Sequence, residues 1–154
     1  YFAYYAFPLL IERGEMDFVL DQYRKCWGWA LQEGRTTWIE VFDPRWSHCH
    51  QWSGCPTPQL SRYALGLHPR FDLGKNHFAL SLKSGSLQHA EGTIPLIGDA
   101  EKGSIQIQWA KEADGIHYRF ESSAPISLHT GQLQADGNEE ILRIDRVYQA
   151  ILSK

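Results

Sequence analysis

The spacing of apolar residues changes once along this chain, near residue 70, and that change limits the folds open to it. Before it, the period is helical. Tyr1 to Ile11 is apolar nearly all round, and Gly14 closes it as a helix C-terminal signal. From Glu15 on, Met16, Val19, Leu20, Tyr23, Trp27, Ala30 and Leu31 follow i, i+3, i+4, i+7 spacing. This predicts one helix of about five turns ending at Gly34. The connection between the two helices is short, so they should pack as an antiparallel αα-hairpin. Residues 35 to 50 read as a longer irregular loop. A third helix is expected from about Pro56 to Leu67, burying Leu60, Tyr63, Ala64 and Leu67. The turn-rich "GLHPRFDLGK" then marks a boundary.

Beyond that boundary the period is two. "HFALSLK" places Phe78, Leu80 and Leu82 on one face, "SIQIQWA" Ile105, Ile107 and Trp109, and "GIHYRFES" Ile116, Tyr118 and Phe120. "EILRIDRVY" reads as a further strand with Leu142 and Ile144 inward. Turn signals separate these runs: "KSGS", "IGDAEKG", "EADG" and "QADGNE". Short alternating strands at this spacing predict an antiparallel β-sandwich. The fold class is therefore α+β, a helical part over 1–70 followed by a β-part over 71–154.

The bulk numbers exclude several classes of function. A chain of 154 residues with 43% hydrophobic and 21% charged side chains can bury a core. A net charge of -3, with Lys and Arg scattered, gives no footprint for nucleic acid. No apolar run approaches the roughly 18 residues of a membrane span. Three cysteines form no regular framework, although one bridge is compatible with them. The opening "YFAYYAFPLL" has no charged segment ahead of an apolar one, so it is not a signal peptide. It reads as a helix already under way, as in a piece of a larger protein.

One stretch is unusual in composition. "TTWIEVFDPRWSHCHQWSG", residues 36 to 54, holds three of the six tryptophans and two of the seven histidines, together with Glu40. Read with the end of the second helix, the pattern is Trp27-Gly28, Leu31, Gly34, Thr36-Thr37, Glu40, then "SHCH" at 47 to 50. This spacing resembles the end of the catalytic domain in α-L-rhamnosidases, the inverting six-hairpin enzymes of glycoside hydrolase family 78. There a "WG…L…G-x-T-T-x-W-E" run precedes a loop and an "S-x-N-H" element. The helical hairpin, the "EGTIPLIGDAEKGSIQIQW" pattern and the following strands also look like that family. Two positions depart from it: Ile39 stands where a Trp usually precedes the Glu, with Trp38 one place earlier, and Cys49 replaces an Asn before His50.

The resemblance implies both architecture and chemistry. Residues 1–70 would be the last helices of an (α/α)6 barrel, and 71–154 the C-terminal β-sandwich domain. Glu40 falls on the family's general base and His50 on a histidine that contacts the sugar. Partners would be rhamnose-containing glycosides or polysaccharides and the rest of the parent catalytic domain, with no cofactor. Inverting glycosidases need two carboxyl groups roughly 6.5–9.5 Å apart, with a water between base and sugar. A base must stay ionised, so polar neighbours such as Thr36 or Thr37 are expected to hold Glu40. Pyranose C–H faces pack on indole, which makes Trp38, Trp46 and Trp52 candidate walls of the sugar site. The general acid would lie in upstream helices; Asp43 is too near Glu40 in sequence to reach across a sugar. On this reading the chain alone does not hydrolyse glycosides.

Other readings of the same residues are weaker. His48, Cys49, His50 and Cys55 have none of the recognised zinc spacings, so no metal site is expected. Nothing orients a histidine beside Cys49 for a nucleophilic role. Cys26 and Cys55 read as small buried hydrophobes. Trp27 and Trp29 lie on or beside the helix stripe, and Trp109 faces the sandwich core. The competing class is a non-catalytic carbohydrate-binding or structural module, which would put sugar contacts on an exposed aromatic face of the sandwich.

Overall fold

In the computed structural model, which describes residues 1–96, 103–130, 141–144 and 147–152, the chain divides into two compact units, Tyr1–Leu60 and Ser61–Lys154, so the division falls ahead of the change of period near residue 70. The first unit begins with α1 (Phe2–Glu12) and continues with α2 (Met16–Gln22), a π-helical turn (Tyr23–Trp27) and α3 (Gly28–Gln32). The expected second helix is thus continuous but carries a π-turn in its middle. There Tyr23 and Trp27 are both buried, their rings edge to face at 5.4 Å. Gly14 and Gly34 end these helices with φ of +92° and +70°. Each sits in a Schellman motif: Gly14 N–H donates to the Ile11 carbonyl and Glu15 N–H to Leu10, and Gly34 and Arg35 do the same to Leu31 and Ala30. Met16, Val19, Leu20 and Ala30 are buried as their spacing requires, whereas Leu31, in the last turn, is exposed.

Pro8 lies inside α1 and has no N–H, so the Tyr4 carbonyl loses its helical donor. Gln59 replaces it. Its Nε2 donates to the Tyr4 carbonyl at 3.1 Å, and its Oε1 accepts from the Tyr23 hydroxyl. One buried amide therefore joins α1, the π-turn and α4 (Pro56–Gln59).

The third helix is shorter than its apolar spacing suggests. After α4 a second π-turn runs from Leu60 to Ala64 and stops. Gly66, at φ +80°, turns the chain, and a Cβ built there would lie 3.1 Å from the Leu82 Cα and from the Tyr118 hydroxyl. Leu67 accordingly belongs not to a helix but to β1 (Leu67–Pro69), paired with β2 (His77–Leu80).

Among the described residues, the second unit is a sandwich of two four-stranded sheets, with strand orders β1-β2-β6-β7 and β3-β4-β5-β8. The remaining strands are β3 (His89–Pro95), β4 (Ser104–Lys111), β5 (Ile116–Ser122), β6 (Ile126–His129), β7 (Ile141–Ile144) and β8 (Val147–Leu152). All pairs are antiparallel except β2 with β6, which run parallel, so the first sheet is mixed. The "EILRIDRVY" run is two strands in different sheets rather than one. Leu67, Leu80, Ile105, Ile107, Phe120, Leu128 and Ile144 fill the space between the sheets. Trp109 is buried as its alternation predicts, and its Nε1 donates to the Ala64 carbonyl at 2.7 Å. The turns expected over 97–102 and 134–139 and the inward side chain of Leu142 lie outside the described residues.

Two substitutions should move stability in opposite directions. Gln59→Leu leaves the Tyr4 carbonyl and Tyr23 hydroxyl without their amide and should cost about 2–4 kcal/mol in urea unfolding. The Tyr118 hydroxyl is buried without a hydrogen-bond partner among the described residues, and burial pushes its pKa up. Tyr118→Phe should therefore be neutral or stabilising by up to about 1 kcal/mol.

Candidate functional site

Residues 35–50 contain neither helix nor strand, so their backbone groups need partners of another kind. Two backbone bonds join the limbs of the loop: His50 N–H donates to the Trp38 carbonyl and Glu40 N–H to the Ser47 carbonyl, each at 2.8 Å. The Thr37 hydroxyl donates to the His48 carbonyl beside them. His50 is extended, at φ -131° and ψ 117°, and leads into a 3-10 turn (Gln51–Gly54) and then α4. Trp27 secures this region from the helix. Its Nε1 donates to the Ser53 carbonyl at 2.6 Å, and its ring meets Phe42 edge to face at 4.8 Å.

These ties bring three of the five expected site side chains together. His50 Nδ1 lies 3.9 Å from Glu40 Oε2, close for an ion pair but too long for a hydrogen bond. The His50 and Trp52 ring centroids stand 4.2 Å apart, and the Tyr1 ring meets Trp52 edge to face at 5.4 Å. Glu40 and His50 are both half-buried, with side chains 29% and 23% exposed. Among the described residues, neither His50 Nδ1 nor Trp52 Nε1 has a hydrogen-bond partner, although both atoms are buried.

The other two tryptophans are placed differently. Trp38 contributes its carbonyl to His50, and its half-buried indole lies against Gly54, where a Cβ would stand 3.5 Å from it. Trp46 is 57% exposed on the outer limb of the loop. Ile39 turns into the core between Trp38 and Glu40. Of Thr36 and Thr37, the expected polar neighbours of the carboxylate, Thr37 instead gives its hydroxyl to the His48 carbonyl. Tyr1 is a neighbour of the site that no spacing in the sequence announced.

Asp43, Arg45 and His48 have separate partners. Arg45 grips Asp43 through Nε at 2.9 Å and Nη2 at 2.5 Å. That pair holds the Asp43 carboxyl below its usual range, so it stays ionised and is a poor proton donor. His48 Nε2 is 2.7 Å from the Pro44 carbonyl. All three cysteines are free thiols, Cys49 exposed, Cys26 half-buried and Cys55 buried. Among the described residues, ligand atoms that could share a metal ion gather only at Glu112, Asp114 and His117, in the hairpin between β4 and β5. His117 Nε2 is there 2.8 Å from Asp114 Oδ1, which lowers the Asp114 pKa and raises that of His117.

Comparison with known proteins places the fold. The chain matches an α-L-rhamnosidase from Dictyoglumus thermophilum with a TM-score of 0.64 and 18% identity, over 99% of its own length. It spans 20% of that protein. The chain thus has the fold of a part of a rhamnosidase, a helical segment followed by a β-sandwich. No family model matches its sequence, and no curated protein matches it.

Burial also raises the Cys55 pKa to about 11. At pH 8 only about one in a thousand Cys55 side chains would be thiolate. Cys49 should therefore react with a maleimide at least a hundredfold faster than Cys55, as followed by peptide mass spectrometry. Comparable rates would mean that the 3-10 turn and α4 open freely in solution.

Proposed function

We propose that the chain is the C-terminal part of an α-L-rhamnosidase, a glycoside hydrolase that releases terminal α-L-rhamnose with inversion. The observation that carries this reading is the convergence of Glu40, His50 and Trp52 at 3.9 and 4.2 Å within one tied loop. The rhamnosidase-like fold of the whole chain supports it independently.

In this reading Glu40 is the general base. It draws a proton from a water on the face of the sugar opposite the leaving group. His50, fixed by its backbone bond to Trp38 and by the Trp52 ring, donates a hydrogen bond to a sugar hydroxyl. Trp52 and Trp38 supply indole surface for the pyranose C–H face, and Trp46 extends that surface outward. The half-buried setting of Glu40 leaves its carboxylate open to a water. The 3.9 Å gap to His50 leaves each group a free direction toward substrate. The general acid belongs to a preceding part of the helical domain. Asp43, locked to Arg45, cannot take that role. Residues 1–70 are then the closing helices of an (α/α)6 barrel and 71–154 its companion sandwich domain.

The test is hydrolysis of an aryl α-L-rhamnoside by the longer protein that carries this chain at its end. Glu40→Gln keeps the shape and removes the base. It should lower kcat by about two to four powers of ten with little change in KM. Equal turnover by the variant would move the base elsewhere, and an intact protein inert to rhamnosides would reject the substrate class.

A further inference from the structure

The outer face of the second sheet bears a broad depression of about 570 Å3. It lies wholly within the sandwich unit and does not depend on the role of Glu40. Strand register fixes its floor. Glu91, Gln108, Arg119 and Gln149 are cross-strand partners in succession, so their side chains form one row over β3, β4, β5 and β8. Neighbouring strands are about 4.8 Å apart, so the row is about 14 Å long. In the next row Ala110 stands between His89 and His117, and its small side chain leaves the hollow between two imidazoles. On the other side Gln106 and Glu121 continue the polar surface.

The chemistry of this face selects among ligands. An anion meets no excess of positive charge, because Arg119 Nη2 is 3.4 Å from Glu121 Oε2 and Glu91 lies in the same row. Trp109, Tyr118 and Phe120 are buried, so the face offers no exposed aromatic ring to an apolar partner. The amides of Gln106, Gln108 and Gln149 each offer a donor pair and an acceptor, and Arg119 offers a planar fork. Val147 and Ile151, 54% and 57% exposed on β8, flank Gln149 with small apolar surfaces. Asp114 fixes the His117 ring from outside the hollow at 2.8 Å. Plain solvation asks only that a sheet face be polar. This one aligns amide and guanidinium groups across four strands beside a hollow of ligand size.

We propose that this face binds a neutral oligosaccharide, lying across the strands with its hydroxyl pairs on Gln108, Arg119 and Gln149 and its C–H edges on Val147 and Ile151. The site would hold a glycan chain by hydrogen bonding without an aromatic platform, using residues of the sandwich unit alone.

The test is titration of the 154-residue chain with neutral hexasaccharides of glucose, xylose, mannose and rhamnose, followed by amide NMR. The same spectra report whether each variant is folded. At least one of the four should shift amides of β3, β4, β5 and β8. Arg119→Ala and Gln149→Ala should each weaken that binding about tenfold, the loss expected for a hydrogen bond to a charged or amide group. No shift on these strands up to about 10 mM of any of the four sugars would overturn the proposal. So would shifts confined to the Trp52 indole and the His50 amide, which would point to the loop instead. Shifts on these strands by an oligogalacturonate alone would overturn the assignment of a neutral ligand.

Discussion

The helical unit depends on the amide of Gln59. Pro8 breaks the hydrogen-bond ladder of α1 at Tyr4, and a part-buried carbonyl without a donor would cost roughly 1 kcal/mol or more. Gln59 supplies that donor and at the same time accepts the Tyr23 hydroxyl. Its residue closes α4, which follows directly on the 3-10 turn carrying Trp52. The position of that turn is therefore set from one side by Gln59 and from the other by the Trp27 indole on Ser53. A loop with no regular structure thus acquires defined geometry from side-chain bonds at its ends and two backbone bonds across its middle. Glu40 and His50 lie on opposite limbs, at the points where those backbone bonds are made.

The sandwich is organised by alternation instead. Inward residues of β4 and β5 are among the most buried in the chain, and the outward residues between them carry polar groups in register. One pattern thus determines two things: the core that holds the sheets together and the chemistry displayed outside. A one-residue slip of β5 against β4 would bury Arg119 and expose Phe120, so the apolar face also fixes the position of the polar row.

This separation explains what the sequence made legible. Long-range periodicity was readable: the αα-hairpin, β4, β5 and the inward Trp109 followed from spacing alone. Glycine ends were readable too, since Gly14 and Gly34 occupy the left-handed positions their placement suggests. Other features depended on partners far away in sequence. β1 is three residues long and exists because β2 pairs with it, so "GLHPRF" looks like a turn. The π-turns keep an apolar spacing close to that of an α-helix and leave no separate mark. The parallel pairing of β2 with β6 joins residues about fifty positions apart, which no local pattern encodes. In the loop, Glu40, His50 and Trp52 stood out by residue type, whereas the partner of Thr37 and the approach of Tyr1 to Trp52 depend on how the chain returns.

The apolar surface of the helical unit bears on the functional reading. α1 buries Ile11 but leaves Phe2, Tyr4, Tyr5 and Leu9 exposed, and Phe18 and Leu31 are exposed further on. Scattered apolar side chains need no explanation, but a helix whose aromatic face is largely open does. Its C-terminal end is capped at Gly14 and its one break, at Tyr4, is closed by Gln59, so poor local structure is not the cause. A helix apolar nearly all round is made to be packed on more than one side. In the proposed reading the remaining helices of the catalytic domain supply that packing. In that reading the same helices would also carry the general acid, so one arrangement would cover the open face of α1 and supply a partner for Glu40. A free-standing binding module would account for neither, because it needs no second helical layer and no carboxylate beside His50.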